Sequence, residues 1–463
     1  MHAGASTNDM TVADAGPATD PREPYAFALG LQAFVYAYPV YEMARLRASV
    51  APRRNAAGEF AGASPESGLR WLNHVHHSHA LIGAGGSRVV SPNNDTVYST
   101  AWIDLSRGPV VLAVPDTADR YYVAGLLDFY TNPFGHIGRR TTGTRAGEFL
   151  LTPPAWRGEV PPSMREVPCP TPFVWMIARV MVDSPDDLPA ANAIQDGIRL
   201  RPLVGAPAGW TGDAVDCWFD RGARFDASHF SAVVNRAMRE NPPPCGDAAL
   251  LEQFARVGIG PQFAEQAAAL GTLWRSGFER AFETGRRMLD GERQNRGSAP
   301  RGWQPTMLIG ESFGADHLLR ATVARSFIGA LASAEALYPI ATTDTDGEIL
   351  TGASRYRIRF APGGQPPVDA YWSLTIYDFD TKMLVPNAIE RYRIGDRSAG
   401  LVSDPDGGLT IDIQAAPNDT ARQANWLPAP AGRFYLILRA YQPRAELLDG
   451  RYVLPDIERV AAN

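Results

Sequence analysis

The sequence predicts a multi-domain protein in which helical and β-rich segments alternate, and three observations carry that expectation. At 463 residues the chain is two to four times the length of a typical domain, so more than one hydrophobic core is expected. Hydrophobic residues at 45% and charged residues at 20% describe ordinary globular composition. Glycine (43) and proline (38) make up about one residue in six, above average usage, which favours many turns joining short strands over a purely helical bundle.

The elements follow in order. Residues 1–22 open with twenty rich in Ala, Thr, Asp and Gly, and read as a disordered tail. Residues 23–85 form a helical entry segment, with apolar positions at helical spacing from Pro24 to Ser49 and again from Glu66 to Ile82. Residues 86–185 change to short apolar runs such as Val110-Val111-Leu112-Ala113-Val114, each closed by Gly, Pro, Asn or Asp, which predicts a β-sandwich. Residues 186–340 return to helical spacing, with Asp226 placed to cap a helix over Ser228–Met238 and a further helix expected from Ala315 to Leu337. Between those helices, Gly291–Thr306 is polar enough to be an exposed connection. Residues 341–463 are strands and turns again, a second sandwich. The run Tyr121–Thr131 aligns with Tyr371–Thr381 at Tyr, Asp, Phe and Thr, each copy an aromatic-rich strand ending in Asp-Phe-x-Thr, which points to a duplication.

Composition also excludes function classes. The net charge is −6, so nothing supplies the counterion release that drives nucleic-acid binding. Lys382 is the sole lysine, and it follows Asp378-Phe379-Asp380-Thr381 and not a glycine-rich turn, so neither a P-loop nucleotide nor pyridoxal phosphate is expected. Cys169, Cys217 and Cys245 are odd in number and widely spaced, which does not make a disulfide framework. The longest apolar stretch, Phe27–Tyr41, is broken by Gln32 and Pro39 and is too short to span a bilayer. With neither a basic n-region nor an apolar h-region at the start, a soluble, cytoplasmic protein is expected, with a homo-oligomer left open.

Four motifs carry chemistry. Gly310-Glu311-Ser312-Phe313-Gly314 fits the G-x-S-x-G nucleophile elbow, but the only later histidine is His317, five residues on, so a turn with Ser312 as helix cap is the expectation. His74, His76, His77 and His79 hold four of the eight histidines; on a helix His74 would share a face with His77, the best candidate pair for a divalent metal, set against a half-exposed face of ordinary histidines. Pro92-Asn93-Asn94-Asp95-Thr96-Val97-Tyr98, followed by Trp102, offers Asp95 as a general base or ligand, Asn94 as a polar contact and Trp102 as an apolar wall, or else a structural Asx-turn. Asp128–Gly143 packs Tyr130, Asn132, His136 and Arg139 into loop-like sequence, a site for a polar or anionic small molecule or a turn with satisfied polar groups.

These same runs, with Trp102-Ile103-Asp104-Leu105 and Ile137–Gly143, resemble the bacterial family of domain of unknown function 1254. Pro366–Asp378, Arg391-Tyr392 and Asn425-Trp426-Leu427-Pro428-Ala429-Pro430 resemble domain of unknown function 1214. The resemblance covers roughly residues 25–460 and implies two jelly-roll-like antiparallel β-sandwiches alternating with helical segments. It assigns no catalytic residue. Many similar proteins begin with an export signal, and none is visible here.

The functional expectation is a small-molecule enzyme, a hydrolase or lyase, with a pocket between the N-terminal sandwich and the helices. Asp95 is expected as base or ligand, Tyr130 or His136 as acid, Asn132 and Arg139 as substrate clamp, and His74 or His77 as metal ligand. The alternative is a non-catalytic binder of sugars or other small molecules using Trp102, Tyr122, Trp372 and Trp426 as stacking surfaces.

Overall fold

The computed structural model describes residues 20–50, 53–54, 60–61, 72–85, 91–205, 210, 218–294, 300–417 and 420–460. The predicted tail falls, apart from residues 20–22, outside the described residues. The long helix α1 (Glu23–Val50) is apolar on nearly every face and carries Pro39 in its interior. Such a helix has to be wrapped by others, and α3 (Ala227–Glu240), α5 (Thr272–Gln294) and α6 (His317–Ser326) pack around it, joined by the short α4 (Ala248–Phe254). Glycines set the α1–α5 distance: a Cβ at Gly285 would lie 2.2 Å from the Phe34 ring, and one at Gly277 2.7 Å from the Ala26 Cβ. The Asp226 cap is present, its carboxylate accepting the His229 amide at 2.9 Å.

After a two-residue ladder, β1 (Arg53–Arg54) with β2 (Phe60–Ala61), the N-terminal sandwich uses β3 (His76–Ser78), β4 (Thr96–Asp104), β5 (Val110–Val114), β6 (Tyr122–Leu127), β7 (Gly135–Gly138), β8 (Gly147–Thr152), β9 (Met164–Pro168), β10 (Phe173–Met181) and β11 (Arg199–Pro202). One sheet runs β3-β4-β10-β6-β7 and the other β11-β5-β8-β9. The alternation of each strand sends Val97, Ile103, Leu112, Leu126, Leu151 and Met176 into one core between them. The helix α2 (Leu188–Gly197) joins β10 to β11.

The C-terminal sandwich uses β12 (Ala336–Leu337), β13 (Ile340–Ala341), β14 (Arg355–Phe360), β15 (Val368–Asp378), β16 (Arg393–Gly395), β17 (Leu409–Gln414), β18 (Trp426–Pro428), β19 (Phe434–Pro443) and β20 (Ile457–Val460), with the single turn α7 (Ala445–Leu448) before the last strand. Its sheets run β12-β19-β15-β16, with β13 also on β19, and β18-β17-β14-β20. This strand order repeats that of the first sandwich when β4 is matched with β12 and β13, β10 with β19, and β6 with β15. Even the parallel pair recurs in place, β8 with β9 and β17 with β18. The aligned sequence runs occupy β6 and β15, and both end in a turn closed by the aspartate: Asp128 accepts the amides of Tyr130 (2.8 Å) and Asn132 (2.9 Å), and Asp378 those of Asp380 (3.1 Å) and Thr381 (2.7 Å).

Four local expectations are corrected. His76–Ser78 is a strand paired to β4, not the end of a helix, because the sheet edge offers its backbone a ladder; the earlier part of that expected helix lies outside the described residues. The Ala315–Leu337 helix stops at Ser326, and the chain turns through Gly329 at φ +82°. Ser312 caps no helix; its hydroxyl accepts the Gly314 amide, while Asp316 caps α6 by accepting the Leu319 amide at 2.9 Å. The N-terminal sandwich also reaches beyond residues 86–185, taking β3 and β11 from the flanking helical segments.

A Gly285→Val substitution pushes into Phe34, and overpacking of this kind outweighs the gain in helix propensity. It is expected to lower stability by about 1–3 kcal/mol, read as a lower urea midpoint; an unchanged midpoint would contradict the close crossing.

Candidate functional site

The two sandwiches meet through the outer faces of their five-stranded sheets, and the segment Ser91–Asp95 is the fastener. Each of its five residues bonds to the C-terminal sandwich. The Ser91 carbonyl accepts from Arg439 Nη2 (3.0 Å) and its hydroxyl shares a hydrogen bond with Tyr435 (2.7 Å). The Tyr377 hydroxyl donates to the Pro92 carbonyl at 2.6 Å, Asn93 Nδ2 donates to Tyr441 Oη at 2.6 Å, and Arg393 Nε donates to the Asn94 carbonyl at 3.2 Å. Asp95 is fully enclosed. Its Oδ2 accepts the Ser373 hydroxyl at 2.6 Å, and its Oδ1 lies 2.8 Å from Arg397 Nη2 and 3.0 Å from Arg393 Nε. Burial pushes the Asp95 carboxyl up, but Arg393, Arg397 and the Ser373 hydroxyl together hold it below the ordinary 3.8.

Asp95 therefore does not face an open pocket as a base. Its oxygens are occupied by two guanidiniums and a hydroxyl, an arrangement that stabilises the carboxylate and removes its basicity. Other expected site residues are committed to structure in the same way. Tyr130 is buried in the helical core and donates to the Asn241 carbonyl at 3.0 Å, and burial holds its hydroxyl well above its usual range. Asn132 bonds to Asp128 through its amide and Nδ2 and accepts the Phe313 amide at 3.2 Å. Asn94 Nδ2 donates to the Ile82 carbonyl at 2.6 Å. Arg139 crosses between the sandwiches, donating to the Asp369 carbonyl (3.0 Å) and Gln442 Oε1 (2.9 Å).

The aromatic residues of the binding alternative form no open face: Tyr122 and Trp372 fill the two sandwich cores, Trp426 is buried with its indole N–H on the Gln414 carbonyl, and Trp102 stacks on Trp175 at 5.5 Å. The expected His74–His77 pair is not built, because on a strand His77 shares its side with His79, whose ring stacks on it at 5.8 Å. His77 Nδ1 bonds to the Ser99 hydroxyl at 2.8 Å, and burial lowers its pKa; His74 is exposed. Among the described residues no three His, Cys, Asp or Glu side chains gather as a metal site.

His136 is the exception. Its ring is buried on β7, where Nε2 accepts the Ala332 amide at 3.3 Å, so the ring proton sits on Nδ1. That Nδ1 has no hydrogen-bond partner; the nearest carboxylate oxygen, from Glu311, is 4.0 Å away. Burial, then Arg140 and Arg179, lowers the imidazole to about 4.

Sequence reasoning missed the residues at the centre of the seam. A strap, Ile328–Ser333, crosses the outer face of the β4-β10-β6-β7 sheet. It is fixed by Arg179 Nη2 on the Gly329 carbonyl (2.8 Å) and by the Ala332–His136 bond, and Gly125 leaves room for Leu331. Around it Tyr98, Trp175, Ile328, Tyr338 and Ile340 stay only partly buried, although they stand where three layers meet. Arg179 on β10 and Arg439 on β19 are at least nine-tenths buried. Each was signalled by being the lone charge in an otherwise apolar strand, Phe173–Met181 and Phe434–Ala440.

Replacing Asp95 by Asn takes from Arg393 and Arg397 their one fully buried carboxylate partner, which is expected to cost about 3–5 kcal/mol, with Arg397 keeping the half-exposed Asp183 at 3.5 Å. Because the folded pKa lies below the unfolded one, the carboxylate's contribution is present above about pH 4 and is lost as pH falls through the depressed value. Urea midpoints measured from pH 7 to pH 3 should therefore fall more steeply for wild type than for Asp95→Asn; parallel curves would contradict the assignment.

Residues 72–202 match the family model described as Protein of unknown function (DUF1254), and residues 335–445 match Protein of unknown function (DUF1214). No curated protein matches the sequence. Among solved structures, the chain is similar to the VPA0106 protein from Vibrio parahaemolyticus, with a TM-score of 0.71 and 24% identity over 94% of this chain and 100% of that one, a likeness of fold. A putative uncharacterized protein from Burkholderia cenocepacia aligns over 95% of this chain and 94% of its own at 13% identity, with a TM-score of 0.43. The chain carries the DUF1254 region followed by the DUF1214 region.

Proposed function

We propose that this protein binds a small organic molecule in the seam between its two sandwiches, beneath the strap Ile328–Ser333. The observation that supports this reading is the partial burial of Tyr98, Trp175 and Ile328, packed against the helical core, and of Tyr338, packed against the tyrosines between the sandwiches. Tyr98 and Trp175 stand on the interior strands β4 and β10 of their sheet, positions that are ordinarily covered, and both retain accessible surface. Aromatic and apolar walls with a few inward polar groups at a domain junction are the usual make-up of a small-molecule site.

An enzyme of the hydrolase or lyase kind is the second reading, and His136 favours it. Its Nδ1 carries a proton, lacks a partner and faces Glu311, so the imidazole is placed to pass a proton to a bound molecule. A metal-assisted form of that chemistry would draw on His74 and His77, and the described residues bring no further ligand to them. The metal-free form is the better supported of the two. No helix among the described residues is long and apolar enough to cross a membrane.

The test is a thermal-shift screen of the full chain against a library of small metabolites, repeated on Ile328→Trp, which adds bulk beside Trp175 and the strap. Ligands that raise the wild-type midpoint should bind the variant at least about tenfold more weakly. Equal shifts in both proteins would place binding elsewhere and remove the reading. Incubating such a ligand with the protein and following it by mass spectrometry separates the two readings: turnover abolished in His136→Gln, with binding kept, supports the enzyme, and an unaltered ligand supports the binder.

A further inference from the structure

The polar groups of the seam are unbalanced. Four guanidiniums, those of Arg179, Arg393, Arg397 and Arg439, converge there; Asp95, which pairs with Arg393 and Arg397, is the one fully enclosed carboxylate among the described residues facing them, and the half-exposed Asp183 reaches Arg397 alone, at 3.5 Å. Glu335, the other buried acid close by, is taken by Arg140 at 2.6 Å and the Tyr121 hydroxyl at 2.9 Å. Arg179 and Arg439 have no carboxylate within ion-pair distance among the described residues. Arg439 donates to the Thr375 hydroxyl (3.1 Å) and the Ser91 carbonyl (3.0 Å), and Arg179 to the Gly329 carbonyl, all neutral acceptors. The Nη1 of Arg179 is buried with no partner at all. A guanidinium cannot shed its proton to escape this situation, so both charges persist.

The two arginines are also placed alike. Each lies on the eighth strand of its sandwich, β10 and β19, and each sandwich adds a tyrosine from its first strands: Tyr98 on β4, and Tyr338 between β12 and β13. The Arg179 guanidinium lies 5.3 Å from the centre of the Tyr98 ring, and that of Arg439 5.5 Å from the Tyr377 ring. Tyr98 and Tyr441 lie within electrostatic reach of both guanidiniums. The repeated strand order thus brings two cations and several phenols to one place from opposite sides, next to Gly329, Ile328 and Trp175.

From this we infer that the seam takes a small organic carboxylate, its anionic end clamped between Arg179 and Arg439 and its apolar body against Trp175 and Ile328. The inference rests on the seam reading proposed above and names its ligand class. A planar carboxylate matches the guanidinium fork in shape and charge, supplies the acceptor that Arg179 Nη1 lacks, and leaves the phenols free to donate to its remaining lone pairs.

The experiment uses the full chain with benzoate and hexanoate, their neutral amides, and inorganic phosphate, in wild type, Arg179→Met and Arg439→Met, by isothermal titration calorimetry and thermal melting. The acids are expected to bind wild type at least tenfold more tightly than their amides and than phosphate, and at least tenfold more tightly than they bind either variant. Without any ligand, Arg179→Met is expected to melt at a higher temperature than wild type, because removing an uncompensated buried charge relieves the apo protein. A variant that melts lower, or does not fold, makes the guanidinium a structural group and overturns the inference. Amides binding as well as acids overturn the carboxylate while leaving the seam reading intact, and acids that bind both variants like wild type overturn the clamp. Phosphate binding in preference to the acids, or no acid binding to wild type, overturns it as well, and the seam reading then stands or falls on the Ile328→Trp screen.

Discussion

The arrangement of this protein depends on one buried carboxylate. Asp95 carries two arginines and a serine from the opposite sandwich, and burying those charges is tolerable because both carboxylate oxygens are paired. Its neighbours Ser91–Asn94 extend the contact as backbone and side-chain hydrogen bonds to the same partner sheet. An extended segment before β4 thereby sets the angle and distance between two cores that are each complete in themselves. Everything in the seam, including the strap and the unpaired arginines, takes its position from that fastening.

Duplication explains why a polar layer lies between two sheets at all. Each sandwich closes its own apolar core with one face of its five-stranded sheet, and the other face is left to tyrosine, serine, threonine and arginine, the residues of an exposed sheet surface. When two copies meet through those faces, groups suited to solvent become buried opposite their counterparts. Aromatic stacking absorbs part of the surface, as between Tyr371 and Tyr441 at 4.3 Å. Hydrogen bonds satisfy most of the rest, and the positive charge left over is concentrated where a ligand has reason to bind.

The architecture was largely legible in the sequence because it depends on periodicity and punctuation. The alternation of helical and β-rich regions, the Asp226 cap and the shared Asp-Phe-x-Thr turn of β6 and β15 are all local signals. The histidine segment misled because its helical spacing competed with a sheet edge that lies in β4, far along the chain, and strand pairing prevailed. The site was less legible. The sequence offers Asp95 as a base or ligand, but its partners lie about three hundred residues away, so sequence alone does not distinguish a base from a buried counterion. Trp102 and Trp372 were chosen for chemistry they share with any core aromatic. The lone arginines of β10 and β19 carried the stronger signal, a charge inside an apolar strand.

The central claim is that the Ser91–Asp95 fastening makes two complete cores behave as one molecule. Differential scanning calorimetry of the intact chain at neutral pH tests it most directly. A single transition is expected, with calorimetric and van't Hoff enthalpies in agreement, because neither sandwich can leave without exposing the buried charges of the other. Two resolved transitions would show the sandwiches unfolding independently and would contradict it.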